Sequence, residues 1–308
     1  MLDKKNRATL YQINVNIENE NDPRSIVCSY IEQDSTVLDV GCACGDLGLA
    51  LKAKKNCTLH GLEYNEGSIK IASQTGAYEE VSRINLNEYD ENMLSQYVGK
   101  FDYIVFADVL EHLLEPQKVL DKFKKYLKKE GFIIISFPNI SHGSIKANLL
   151  INDFTYTDLG FLDKTHLKFF TYKSIPSFLS EISLKILECR YTAVPIEGWQ
   201  PKNAYLQLPK QINKRILNDL HSYVCQYVVK IQNCENIPIE KLKKINETNI
   251  PLNKNNAPKY LIRFKKEAVK KYLCKNIIKD VYYWINKIFY KYIVKNEEKY
   301  TKYKLLLK

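Results

Sequence analysis

Short apolar runs alternate with segments of helical period through roughly the first two-thirds of the chain. Thr36 to Val40 (TVLDV) is a β-branched run that stops at Gly41, the pattern of a buried strand. Leu47, Leu49, Ala50 and Leu51 then set a helix from about Asp46 to Lys54. Cys57 to Leu62 reads as a second strand, Glu66 to Thr75 as a helix, and Arg83 to Leu86 as a weaker third strand. Phe101 to Ala107 (FDYIVFA) and Phe132 to Phe137 (FIIISF) are nearly all apolar, as strands covered on both faces are. Between them a helix begins at Pro116, a residue suited to a first turn, presents Val119, Leu120, Phe123 and Leu127, and ends at Gly131. Lys173 to Ile182 is helical, Lys185 to Ala193 strand-like, and Ala204 to Leu208 a last strand.

Strands alternating with helices predict an α/β fold, a mostly parallel sheet with helices on both faces and right-handed crossovers. Residues 25–208 form this domain, after an N-terminal segment 1–24. The mixed stretch 141–171 (SHGSIKANLLINDFTYTDLGFLDKTHLKFFT) is an insertion after a central strand, a lid or substrate segment. Beyond Pro209 the β-branched runs vanish and Lys, Asn and Tyr dominate. Helical patterns near 212–232 and 258–293 make 209–308 a basic helical extension. No repeat of solenoid length is present.

Composition sharpens this picture. The 308 residues are 45% apolar and 26% charged, as in an ordinary globular protein. The formal charge of +11 is unevenly spread: residues 201–308 carry 24 basic and 8 acidic side chains, the first 200 carry 22 and 27. An acidic body disfavours a nucleic-acid-binding core, and the basic extension asks for an anionic partner. No apolar run reaches the length of a membrane span, and Met1 to Leu10 lacks the apolar centre of a secretory signal, so a cytoplasmic protein is expected. The eight cysteines, with only Cys42 and Cys44 close together, are read as reduced thiols.

The chemistry concentrates in Val37-Leu38-Asp39-Val40-Gly41-Cys42-Ala43-Cys44-Gly45, a strand running into a small-residue turn and a helix. Small residues admit a ligand to the backbone, and a helix N-terminus favours an anionic group. A dinucleotide turn, G-x-G-x-x-G/A, would need a small residue where Asp46 stands. Gly41, Ala43 and Gly45 instead give G-x-A-x-G, a spacing suited to S-adenosylmethionine, which has no phosphate to cradle. Glu63, at the end of the second strand, can accept hydrogen bonds from ribose hydroxyls, although such a carboxylate can equally be a solvated loop residue.

VLDVGCACGDLG, HGLEYN, FDYIVFADVLEHLLEP, GFIIISFPNISH and LDKTHLKFFT occur in the order seen in class I S-adenosylmethionine-dependent methyltransferases. Over about residues 25–190 the chain resembles most the bacterial group found with glycosyltransferases and cell-surface polysaccharide genes. The resemblance implies a Rossmann-like seven-stranded sheet with a reversed last strand, and S-adenosylmethionine at the carboxyl ends of strands one, two and four, leaving as S-adenosylhomocysteine. It implies a cofactor site of Asp39, Gly41, Cys42 and Gly45 around the methionine end, Glu63 on the ribose, Asn85 beside the adenine and Asp108 closing the pocket. Asn85 stands where relatives carry Asp, and Ala43 where glycine is commoner.

For a hydroxyl acceptor the protein must supply alignment and a base, for which histidine suits, with a rate effect of roughly 10² to 10⁴. Of the five histidines, His60 lies inside a predicted strand and His221 in the extension. His112, His142 and His166, at the ligand edge or in the insertion, are the candidate bases, although each can equally be structural. Asp108, Glu111 and His112 resemble the acidic-x-x-Glu-His metal site of ubiquinone-type O-methyltransferases. The competing reading, and the expectation, is a metal-free site in which Glu111 and His112 position the cofactor. The aromatic insertion, Phe154, Tyr156, Phe161, Phe169, Phe170 and Tyr172, either stacks on sugar rings or packs a core of its own.

The expected function is O-methylation of a sugar hydroxyl on a cell-surface glycan or its nucleotide- or lipid-linked precursor. The extension would then rest on the anionic inner face of a membrane. The rival is an RNA methyltransferase whose extension grips RNA. A binding module without catalysis is a third reading, against which the intact turn and Glu63 speak.

Overall fold

The computed structural model describes residues 15–88, 91–196, 208–250 and 262–270. Seven strands form one sheet: β1 (Thr36–Val40), β2 (Thr58–Glu63), β3 (Tyr78–Arg83), β4 (Phe101–Ala107), β5 (Leu127–Pro138), β6 (Leu184–Ala193) and β7 (Val224–Asn233). Their spatial order is β3-β2-β1-β4-β5-β7-β6. Neighbours pair in parallel except β7, which runs antiparallel to both β5 and β6. This is the mostly parallel α/β sheet with a reversed strand that the sequence predicts.

The helices are α1 (Pro23–Tyr30), α2 (Asp46–Lys55), α3 (Glu66–Gln74), α4 (Pro116–Phe123), α5 (Gly143–Leu150), α6 (Ser174–Ser180), α7 (Lys210–Asn218) and α8 (Ile239–Asn249). Local chemistry sets their starts. Asp22 caps α1 by accepting from the Arg24 amide with Pro23 in the first turn, and Asn65 caps α3 through the Ser68 amide. The strand alternation divides the core into two layers. Leu38, Val40, Ile104, Phe106 and Ile135 pack with Leu120 and Phe123 of α4 and Leu179 of α6. Val37, Leu59, Val105 and Ile134 pack on the opposite face with Ile26 of α1 and Leu47 and Leu51 of α2. Strand order reverses between β1 and β4, which opens a crevice at their carboxyl ends, where open α/β sheets bind ligands.

Several boundaries differ from the sequence expectation. The third strand is Tyr78–Arg83, not Arg83–Leu86. It is a sheet-edge strand with Glu79 and Glu80 exposed, so it carries no apolar run to announce it. The helix from Pro116 stops at Phe123, and Leu127 to Gly131 already belong to β5. Of the expected last strand, 204–207 lie outside the described residues. The seventh strand is Val224–Asn233, in a stretch read as helical; only Lys210–Asn218 of that stretch is α-helix.

This moves the domain boundary. Residues 209–233 are not an appendage, because β7 sits inside the sheet between β5 and β6. Helix α8 follows, with Leu242 buried and the buried Asn246 Oδ1 accepting the Ile186 amide of β6 at 2.7 Å. A helical stretch at 262–270 packs Ala268 against the same core. The remainder of the expected basic helix lies outside the described residues. At the other end Asn21 exchanges two hydrogen bonds with the Ala193 backbone, so part of the N-terminal segment belongs to the fold. Among the described residues, no helix is long and apolar enough to cross a membrane.

Candidate active site

The turn after β1 is left-handed at alternate positions: φ is +73° at Gly41, +45° at Ala43 and +87° at Gly45. Glycine relieves that conformation at both ends, and at Gly41 a Cβ would also come within 2.6 Å of Val109 Cγ2. The Gly41 and Cys42 amides donate to the Leu62 carbonyl at 2.7 and 3.1 Å, which ties the turn to the end of β2. Glu63 completes the tie. Its Oε2 accepts the Ala43 amide at 3.0 Å, and its Oε1 accepts the Tyr64 and Asn65 amides at 2.8 Å each. Three donors on a carboxylate with about four lone-pair directions leave one on Oε2 for a ligand hydroxyl.

Asp39 is 2% exposed and points beneath the turn, where the Tyr78 hydroxyl donates to its Oδ2 at 2.7 Å. Burial pushes its carboxyl up to about 6, the Tyr78 hydrogen bond works against that, and the charge of Glu63 adds to the rise. Cys42 is buried, its thiol raised by desolvation, so it contributes its backbone and not a thiolate. Asn85 follows β3 and lines a cleft of about 390 Å³ with Tyr64, Arg83, Ile84, Glu88 and Met93. That volume lies within the range of small-molecule clefts. Asp108 follows β4 directly at φ +57°, and its Oδ1 accepts from Ser136 Oγ at 2.7 Å and Gln226 Nε2 at 2.5 Å. The turn, Glu63 and the Asn85 cleft therefore line one side of the crevice in the order of a nucleoside with an amino-acid arm. Gly41, Gly45, Glu63 and Asn85 are the residues that would hold S-adenosylmethionine.

The three candidate histidines fare differently. His142 is fully buried and caps α5: Nδ1 accepts the Ser144 amide, so Nε2 donates to the Val194 carbonyl at 3.3 Å, and the ring stacks on Phe161. No lone pair is left to take a substrate proton, and burial lowers the ring to about 4. The sequence expectation of a base at His142 is therefore corrected to a structural role. His112 and His166 face each other with ring centroids 4.8 Å apart. Their Nδ1 atoms lie 3.2 Å from the Thr165 carbonyl and 3.3 Å from the Phe161 carbonyl, which can only accept. Both rings thus carry Nδ1–H and keep an Nε2 lone pair. Burial, then the neighbouring His112, lowers His166.

Beside them Glu111 is 1% exposed, and among the described residues neither carboxylate oxygen has a hydrogen-bond partner. Desolvation and then Asp108 raise it well above the usual carboxylate range. Glu111, His112 and His166 offer ligand atoms within 4.8 Å of one another. Asp108, which the alternative metal reading would join to Glu111 and His112, accepts from Ser136 and Gln226. The pairing of His112 with a lid histidine was not legible in the chain, since 53 residues separate His112 from its Thr165 partner. His60 packs against Tyr97 and Phe101 as a core residue. The insertion divides: Phe161 and Phe170 are buried and Tyr172 stacks on His221, while Phe154 touches both Tyr156 and Phe169 at the surface.

A sheet of this order, with a left-handed small-residue turn after β1 and an acidic residue closing β2, is the fold of the class I S-adenosylmethionine-dependent methyltransferases. The methyltransferase-domain family matches residues 21–188, more than half of the chain, and the chain belongs to it. It is an enzyme that uses S-adenosylmethionine. The ubiquinone biosynthesis O-methyltransferase of Coxiella burnetii (strain Dugway 5J108-111) is 32% identical over 115 residues, 36% of this chain and 48% of that protein. The protein of the same name from Actinobacillus pleuropneumoniae serotype 5b (strain L20) is 26% identical over 132 residues, 40% of this chain and 55% of that one. The chain thus spans about half the length of these relatives. Among solved structures, the O-methyltransferase from a trans-AT PKS multienzyme of Brevibacillus brevis in complex with S-adenosyl-L-homocysteine has a TM-score of 0.50 at 15% identity. The match covers 80% of this chain and 82% of that one. At that identity the likeness concerns the fold.

Proposed function

We propose that this methyltransferase transfers a methyl group to a hydroxyl of a sugar-containing acceptor, with His112 taking the hydroxyl proton and without a metal. The observation that carries it is the His112–His166 pair, fixed in the tautomer that leaves Nε2 free, with His112 on the segment after β4 whose Val109 abuts Gly41 of the turn. When bound, S-adenosylmethionine supplies an electrophilic methyl carbon on a sulfonium. His112 Nε2 accepts the proton as the acceptor oxygen becomes nucleophilic, and Thr165 holds the ring through Nδ1. Asp163, which accepts from the Thr165 amide and hydroxyl, fixes Thr165 in turn. The surface aromatics Phe154, Tyr156 and Phe169 supply faces on which a sugar ring can stack. The names of the related proteins support an oxygen acceptor.

A phenolic hydroxyl is the second reading, favoured by the ubiquinone biosynthesis function named for those relatives. The basic excess beyond residue 209 supports an anionic partner, and a membrane bearing a lipid-linked sugar would present both acceptor and charge. RNA is the competing partner.

Labelled S-adenosylmethionine incubated with a glycan extract, a set of simple phenols and an RNA extract tests the reading. Label is expected in the glycan fraction. His112→Ala should lower kcat by roughly 10² to 10⁴ with cofactor affinity retained, and a chelator should leave turnover unchanged. A phenol is already acidic near pH of about 10, so label in phenols with a small His112→Ala effect would favour the second reading. Label in RNA would reject both.

A further inference from the structure

One aromatic ring lies under the cofactor turn, and three glycines leave room for it. A Cβ on Gly45 would come within 3.0 Å of Tyr78 Cε2, one on Gly61 within 3.1 Å of Cδ1, and one on Gly48 within 2.3 Å of both Cζ and the hydroxyl oxygen. These glycines belong to three separate pieces of the fold: the turn, β2 and α2. The ring is therefore seated where the turn, the ribose-side strand and the following helix meet. Its hydroxyl donates to Asp39 Oδ2 at 2.7 Å, and the Gly48 amide reaches the same hydroxyl oxygen. Among the described residues, Tyr78 is the donor that reaches the Asp39 carboxylate.

We propose that Tyr78 is a positioning residue for S-adenosylmethionine: acting through Asp39, it holds the Gly41–Gly45 turn in its binding shape and keeps a negative charge beneath it. This rests on the cofactor assignment of the turn. The charged and titratable groups around Asp39 are Glu63 from β2, Cys42 from the turn and Cys28 from α1, besides Tyr78 from β3. None of them is a cation. Burial and Glu63 both favour the neutral Asp39, and the Tyr78 hydroxyl is the group that favours its charged form. A bound sulfonium with an ammonium arm is attracted to a carboxylate buried below the turn, because that interior screens charge weakly. The hydroxyl of Tyr78 thus decides over which pH range the turn presents its full negative field. The geometry shows why a plain aromatic would not do the same: phenylalanine fills the glycine-lined space and leaves Asp39 without its donor.

Calorimetric titration of the full-length protein with S-adenosylmethionine from pH 5.5 to 8.5 separates the possibilities, with thermal melts confirming that each variant is folded. Wild-type affinity is expected to fall below about pH 6, as the Asp39 carboxylate takes up its proton. Tyr78→Phe should bind about tenfold more weakly at pH 7, the size of one charge-assisted hydrogen bond, and its decline should begin about one pH unit higher. Asp39→Asn should remove this pH dependence and also the difference that Tyr78→Phe makes. A Tyr78→Phe curve that superimposes on the wild type, even with a lower melting temperature, would reduce Tyr78 to space filling and overturn the proposal. A wild-type protein that binds no S-adenosylmethionine at any pH would overturn the assignment of the turn itself, and this proposal with it.

Discussion

Glu63 does two jobs with one carboxylate. It fastens the turn to β2 by accepting three backbone amides, and that leaves one acceptor direction on Oε2 for a ligand. Glu63→Gln keeps an acceptor of similar shape and loses the charge. Hydrogen bonds to charged groups are worth about 1.5–3 kcal/mol, so S-adenosylmethionine affinity should fall roughly tenfold to a hundredfold in a calorimetric titration. His142 gives a residue-scale prediction of another kind. Its ring is held neutral in the fold at about 4, below an unperturbed value near 6.5. The stability this contributes is complete above pH of about 6.5 and is lost as pH falls toward 4. His142→Asn keeps a capping acceptor and has nothing to titrate. Between pH 7.5 and 4.5 the wild type should lose about 2–3 kcal/mol more unfolding free energy than the variant, measured by urea melts at the two pH values. Asp39, raised to about 6, acts in the opposite direction and does so equally in both proteins. Equal losses in the two would mean that the ring is not buried as described.

At the scale of elements, the central strands were legible and the marginal ones were not. TVLDV, FDYIVFA and FIIISF announce themselves because a strand covered on both faces must be apolar along its length. Tyr78–Arg83 sits at the edge of the sheet and Val224–Asn233 carries Gln226, Lys230 and Gln232 among its apolar positions, so neither has that signature. Lys230 shows how β7 hides: its ammonium lies 4.2 Å from the Phe132 ring centroid, over an aromatic surface that the sequence does not reveal. A chain cut after Leu208 loses this strand from between β5 and β6 and should be insoluble or unfolded. A chain ending at residue 270 keeps the sheet, α8 and the stretch that buries Ala268, and should melt cooperatively. Far-ultraviolet circular dichroism during heating checks both, and a folded protein ending at 208 would contradict the position of β7.

For the whole molecule, the uneven charge has partly been absorbed by the fold. Lys230 lies on aromatic rings, and Lys265 donates to the Asn218 carbonyl at 3.0 Å. The remaining excess is expected to act on an anionic surface. Sedimentation with vesicles of anionic lipid should retain the full-length protein at low salt and release it as ionic strength rises, while neutral vesicles should not retain it. Retention by RNA with none by the vesicles would instead support the RNA reading.

The small-residue turn and the carboxylate tied to it were written in the chain because they are local. A turn that must go left-handed calls for small residues at fixed spacing, and the acidic residue that closes the next strand lies a short way downstream. The order of apolar runs likewise dictated the α/β class, since burial on two faces leaves an unmistakable pattern. What only the tertiary structure decided depends on residues far apart in sequence. It set Tyr78 beneath three glycines and brought His166 against His112. It took His142 out of the chemistry by giving it a helix to cap, and drew β7 into the sheet between β5 and β6. Each of these follows from which surfaces meet when the layers pack, and periodicity along one chain carries no record of its partner.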